Sequence, residues 1–156
     1  MQNQKLKNLL KTDYVQISHY FDQELVIIDW QKPVSLEEFK FTYTFVFKYT
    51  KLKRVGKFVV DIQKKGFAPP QEEEWWNVNF AKHLSNIDFD IYVSMVVNDE
   101  QFRTLIQQFS LHWNNQYHKD DEHLNVNYFT SRSEATDWLL ARNASVIDTQ
   151  LIKKPQ

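Results

Sequence analysis

The chain has 156 residues, of which 42% are hydrophobic and 15% aromatic, enough for one packed core without disulfides or metals. It contains no cysteine, which excludes thiol catalysis and cysteine-ligated metals, and its 2 glycines are too few for a glycine-rich phosphate loop. The 19 basic and 20 acidic residues give a net charge of −1, without the basic excess typical of nucleic-acid binding.

We expect a single α/β domain over residues 1–156, with a core at about 14–142 and an extension at each end. The first ten residues lack the apolar stretch of a signal peptide, and the apolar run at 25–28 is too short to cross a bilayer. The predicted protein is therefore cytoplasmic, with no membrane insertion and no nucleic-acid partner.

Five segments have the apolar, β-rich composition of strands, and helical segments separate the later ones. They are residues 14–19, 24–30, 57–62, 90–97 and 124–129. The short gap at 21–23 favours an antiparallel hairpin of the first two. The order predicts a mixed sheet of four to five strands with about four helices, mainly on one face.

Each predicted helix begins at a recognisable start signal. Ser35 with Glu38, and Ser131 with Glu134, fit the capping box, in which side chains satisfy the unpaired amides of the first turn. Prolines at 69–70 precede three glutamates, and residues 98–101 open the third helix in a similar way.

Residues 35–51 have two interpretations, because aromatic residues alternate from Phe39 to Tyr49 as they would in a strand. The capping box, the length of the segment and the need for a crossover favour a helix. One helical stripe would then face the sheet: Leu36, Phe39, Tyr43, Val46 and Phe47.

A second stripe of Phe41, Phe45 and Tyr49 would point away from the sheet and needs cover. The segment that contains Leu6, Leu9 and Leu10 could supply it, or the C-terminal tail with Val146, Ile147, Leu151 and Ile152. The alternative is an interface with a second subunit or another protein.

Three segments stand out by their wording: the strand that ends in Phe58-Val59-Val60-Asp61, the Glu72–Trp76 helix start and the closing YFTSRSEATDWL at 128–139. Together they resemble the SpoIIAA-like superfamily, which joins STAS domains and small SEC14-like proteins. The resemblance covers residues 15–140 and is closest to stand-alone bacterial members. It implies a mixed sheet with helices mainly on one face, and little about chemistry.

STAS phospho-switch proteins carry a phosphorylated Ser or Thr just after the strand that ends here at Asp61. This chain has no Ser or Thr from Val55 to Leu84, and three glutamates follow, which would repel a phosphate. We therefore expect no phospho-switch.

Asp61, Trp75 and Trp76 are the candidates for a pocket or groove. Asp61 ends a predicted strand, where open α/β sheets bind ligands, although it could instead accept bonds from loop amides or pair with Lys64 or Lys65. Adjacent helical positions would place one of Trp75 and Trp76 in the core and the other at a groove. His83, Trp30 and Trp138 are expected to be packing residues.

No set of residues predicts catalysis or a cofactor. Histidines and carboxylates at 112–123 match no known ligand spacing and are expected to form a solvated loop: His112, His118, Asp120, Asp121, Glu122 and His123. No Gly-x-Ser-x-Gly motif occurs. The sequence favours a non-enzymatic protein-interaction or regulatory module that self-associates; the alternative is a carrier of a small, lipid-like apolar ligand, and an enzyme ranks third.

Overall fold

The computed structural model describes residues 6–112 and 123–153, with side chains at 6–108 and 123–142. In this part of the chain, six strands form one mixed sheet in sequence order. They are β1 (Leu6–Lys11), β2 (Val15–Tyr20), β3 (Leu25–Trp30), β4 (Lys57–Asp61), β5 (Ile91–Val96) and β6 (Leu124–Phe129). The helices are α1 (Leu36–Lys53), α2 (Pro70–Ser85), α3 (Asp99–His112) and α4 (Arg132–Lys153).

The predicted α/β fold with a mixed sheet and four helices is confirmed, but the predicted four to five strands were too few. β2 and β3 form the expected antiparallel hairpin, and β3 to β6 are parallel. The missed strand is β1, which pairs antiparallel with β2 and precedes the predicted core. Its register shifts between Asn8 and Leu10, so a bulge breaks the alternation that would have indicated a strand.

The helix starts follow the sequence signals. Ser35 and Glu38 form a complete capping box at α1, and Pro70 stands in the first turn of α2. Asn98 and Gln101 exchange side-chain to backbone bonds of 2.8 Å each at α3. The helical interpretation of residues 35–51 is therefore confirmed.

Alternate residues of β4 separate two cores. Phe58 and Val60 pack on the face covered by α1, α2 and α3, with Phe39, Tyr43 and Leu105. Val59 packs on the opposite face with Ala135 and Leu139 of α4. Three helices thus lie on one face and one on the other, because α4 returns over the sheet after β6.

Candidate functional site

Asp61, at the carboxyl end of β4, lies in an ion cluster that the sequence did not indicate. Arg132 places Nη2 2.7 Å from Asp61 Oδ2 and 3.3 Å from Asp29 Oδ1. The Gln63 amide donates to Asp61 Oδ1 at 3.1 Å, so bonding to loop amides is confirmed. Burial opposes the charge of Arg132, but its bond to Asp61 and the charge of Asp29 raise its pKa.

The expected pairing of Asp61 with Lys64 or Lys65 is wrong for Lys65, which forms a buried ion pair with Glu72. Lys65 Nζ lies 2.8 Å from Glu72 Oε1, and the two side chains are 5% and 3% exposed. The ammonium also lies 5.2 Å from the ring centre of Phe39 and 5.6 Å from that of Trp30. This pair joins the loop after β4 to α2 on the face opposite the Asp61 side chain.

Trp75 and Trp76 belong to an aromatic layer between α1 and α2. Trp75 stacks on Phe47 with ring centres 6.4 Å apart, and Trp76 stacks on Phe80 at 4.5 Å. Both tryptophans are half-buried, so neither takes the purely core position that we expected of one of them. Burial raises the pKa of Tyr43, in the same layer, to about 12.

The structure therefore does not bring Asp61 together with Trp75 and Trp76. The Asp61 side chain lies on the α4 face of the sheet, and the two tryptophans pack against α1 on the other face. His83 is buried and stacks on Phe47 at 4.6 Å, as expected of a packing residue. Trp30 is buried in the same core, whereas Trp138 is half-buried beside Phe129.

The second stripe of α1 is divided between core and surface. Phe45 and Tyr49 are half-buried and pack against the core beside the sheet, so the prediction that they point away from it is wrong for these two residues. Leu9 and Leu10 of β1 pack against the same core. Tyr49 Oη lies 2.6 Å from His19 Nδ1. Phe41 remains 54% exposed.

A groove that sequence reasoning missed opens at the amino ends of β4 and β5. It has a volume of about 470 Å³, and Lys57, Tyr92 and Arg142 are among its lining residues. These residues come from three elements and share no local motif. The only available signal was a lysine at the start of an otherwise apolar strand.

The comparisons with known proteins identify no relative. No family model, no curated protein and no solved structure matches the chain. The resemblance to the SpoIIAA-like superfamily therefore stays a prediction, as does the apolar ligand.

The described residues contain no cluster of three metal-ligating side chains. None of the helices in this part of the chain is long and apolar enough to cross a membrane. The structure does not describe most of the candidate metal ligands at 112–122. It also does not describe the C-terminal side chains that were proposed as cover for α1.

Proposed function

We propose that this protein is a non-enzymatic protein-interaction module that pairs with a second copy of itself through the outer face of α1. The observation that carries this proposal is the exposure of two large apolar side chains on that helix. Phe41 is 54% and Leu52 77% exposed. Exposed apolar groups on one helix face gain free energy when a partner removes them from water.

The two side chains share one continuous stripe. Glu37, Phe41, Thr44, Lys48 and Leu52 are all exposed. At 100° per residue, they lie within an arc of about 80°. The small Thr44 stands near the middle of α1, where it would let a second helix approach closely.

The charges on α1 favour an antiparallel partner. Glu37 lies in the first turn, whereas Lys51 and Lys53 lie in the last. A two-fold axis near Thr44 would place the acidic end of each helix beside the basic end of the other. The same arrangement would lay Phe41 of one copy along the aliphatic stem of Lys48 of the other.

A contact built around a single helix face is small for a stable dimer, which usually buries about 800 Å² on each partner. We therefore expect a reversible dimer with a dissociation constant in the range of about 10–100 µM. Its formation should be visible as a rise in average mass with concentration.

Sedimentation equilibrium from about 5 to 300 µM tests the proposal, a range chosen to bracket that dissociation constant. The wild type should approach the dimer mass, and Phe41→Asp and Leu52→Asp should each remain monomeric. Val78→Asp is the matched control, because Val78 is equally exposed on α2, at 54%. A monomeric wild type, or a control that dissociates as completely as the α1 variants, would contradict the proposal.

A charge exchange tests the antiparallel orientation. Glu37→Lys and Lys51→Glu should each weaken the homodimer, because each places like charges opposite one another. An equimolar mixture of the two variants should recover association, since each contact would again join opposite charges. Association that does not recover in the mixture would exclude the antiparallel arrangement.

A further inference from the structure

The groove at the amino ends of β4 and β5 has three aromatic residues among those that line it. They are Phe21, Phe89 and Tyr92, and the Arg54 guanidinium lies 5.0 Å from the ring centre of Phe89. At Gly56 the backbone passes so close to the Asp90 carbonyl that a Cβ would clash with its oxygen. A volume of about 470 Å³ falls in the range of small-molecule sites.

The charges that line this groove have a positive excess. Four cations contribute to the lining, Lys53, Arg54, Lys57 and Arg142, against the carboxylates of Glu24 and Asp90. Arg54 already pairs with Asp88 at 2.8 Å, outside the lining. Burial lowers the pKa of His19, so this lining residue adds little charge at neutral pH. The lining thus has more cationic than anionic side chains, and Asp90 also has a partner outside the lining, since His123 Nδ1 lies 3.1 Å from its Oδ1.

Two of these cations are held in partly desolvated positions. Lys57 is buried, and burial lowers the pKa of its ammonium because a charged group is less stable without solvent around it. Arg142 stacks its guanidinium 4.8 Å from the ring centre of Trp138. Its buried Nε has no hydrogen-bond partner among the described residues. Arg142 is nevertheless among the lining residues, and a guanidinium at the wall of a groove can donate charge-assisted hydrogen bonds to an oxyanion.

We propose that this groove binds a small organic oxyanion, with the charged group at Lys57 and Arg142 and a flat apolar body against Phe89 and Tyr92. The site lies at the amino ends of the parallel strands, away from Asp61, and does not depend on self-association through α1.

Titrations followed by amide ¹H–¹⁵N spectra of the wild type test this proposal. The probes are phenylacetate, phenyl phosphate, and 2-phenylethanol as an uncharged analogue. Phenylacetate should bind saturably at about 1 mM, as expected for a fragment of this size, with shifts centred on Gly56 and Tyr92. The alcohol should bind at least tenfold more weakly. Tighter binding of phenyl phosphate would support the oxyanion site and identify phosphate as the preferred group.

Variants then separate the proposed contacts from general effects of charge. Arg142→Met and Lys57→Met should each weaken phenylacetate binding about tenfold, and Arg142→Lys should recover only part of it because an ammonium cannot bind a carboxylate bidentately. Arg103→Met, which removes an exposed cation of α3 on the opposite face of the sheet, should leave the affinity unchanged. No shift at Gly56 up to about 10 mM, equal binding of the alcohol, or an equal loss in Arg103→Met would overturn the proposal.

Discussion

Lys65 and Glu72 are charged residues in a place where apolar residues usually pack. Their side chains are almost completely buried, and the Lys65 ammonium faces the rings of Trp30 and Phe39. Each charge is tolerated because the other is 2.8 Å away. Removing one partner therefore leaves an uncompensated charge in a medium of low polarity.

Glu72→Gln should lower the free energy of unfolding by about 3 kcal/mol, because the buried Lys65 side chain would lose its counterion. The double variant Lys65→Met/Glu72→Leu should lie within about 1 kcal/mol of the wild type, since no buried charge remains. Urea denaturation measures both. Glu73→Gln, at an exposed neighbouring position, is the control and should change stability by less than about 0.5 kcal/mol. If Glu72→Gln were as stable as Glu73→Gln, the ion pair would contribute little to stability.

Gly56 is the position where the backbones of the loop before β4 and the residue before β5 approach most closely. Gly56→Ala should lower the free energy of unfolding by about 2 kcal/mol or more, because the added Cβ would meet the Asp90 carbonyl oxygen. Gly66→Ala provides a contrast, since nothing lies within 4 Å of its Cβ position and only its positive φ of 90° opposes the change. Thermal unfolding of both variants measures the difference; equal destabilisation would contradict the role of close approach at Gly56.

The surroundings of Asp61 illustrate what residue-level reasoning could predict. Its bond to a loop amide is local, within two residues, and was one of the expected outcomes. Its partner Arg132 lies 71 residues away in sequence. Arg132 reaches Asp61 because of the strand order and because α4 packs back on the sheet after β6. Neither feature produces a pattern in the sequence near Asp61.

At the scale of elements, α1 begins with a complete capping box. Ser35 Oγ accepts from the Glu38 amide at 3.1 Å, and Glu38 Oε1 accepts from the Ser35 amide at 2.9 Å. Both bonds are formed by residues three positions apart. A local pattern of this kind is why the sequence placed the helix start correctly despite the alternating aromatic residues.

Ser35→Ala should lower the free energy of unfolding by about 1 kcal/mol, because the Glu38 amide would lose its acceptor. Ser133→Ala is the matched control: it removes an exposed hydroxyl in the first turn of α4 and should be neutral or slightly stabilising. Chemical denaturation of the two variants provides the measurement. A loss in Ser133→Ala as large as that in Ser35→Ala would argue against the capping contribution.

β1 shows how an element can escape prediction. Leu6, Leu9 and Leu10 are spaced as in an amphipathic helix, and the bulge at Asn8–Leu10 conceals the strand period. The segment is a strand because the edge of β2 offers it a hydrogen-bonded partner. Pairing with a neighbour outweighed the local pattern.

At the scale of the whole molecule, two buried histidines make stability depend on pH. Burial lowers the pKa of His83, and the charge of Lys51 lowers it further. Burial also lowers the pKa of His19, where Lys53 and Lys7 oppose protonation and Glu24 favours it. The Tyr49 hydroxyl is the hydrogen-bond partner of the His19 ring. In both cases the unfolded chain binds a proton more readily than the folded protein does.

The free energy of unfolding should therefore be highest above a pH of about 6.5, the ordinary pKa of histidine, and should decrease as the pH falls below it. The decrease should end below the folded pKa of each histidine, where both states are protonated. Urea unfolding at several pH values between about 7.5 and 5 measures this slope. His83→Phe keeps an aromatic ring in the layer and should reduce the slope of the free energy of unfolding against pH. If the slope of His83→Phe equals that of the wild type, His83 does not contribute to the pH dependence.

The sequence by itself determined the helix starts, the β2–β3 hairpin and the α/β class, because each depends on side chains a few residues apart. Only the tertiary structure decided the strand at the N-terminal edge, the Arg132 cluster, and the groove that unites Lys57, Tyr92 and Arg142. These contacts depend on strand order and on which face each helix covers. No periodicity along the chain encodes them, because they join segments that become neighbours only when the sheet has formed.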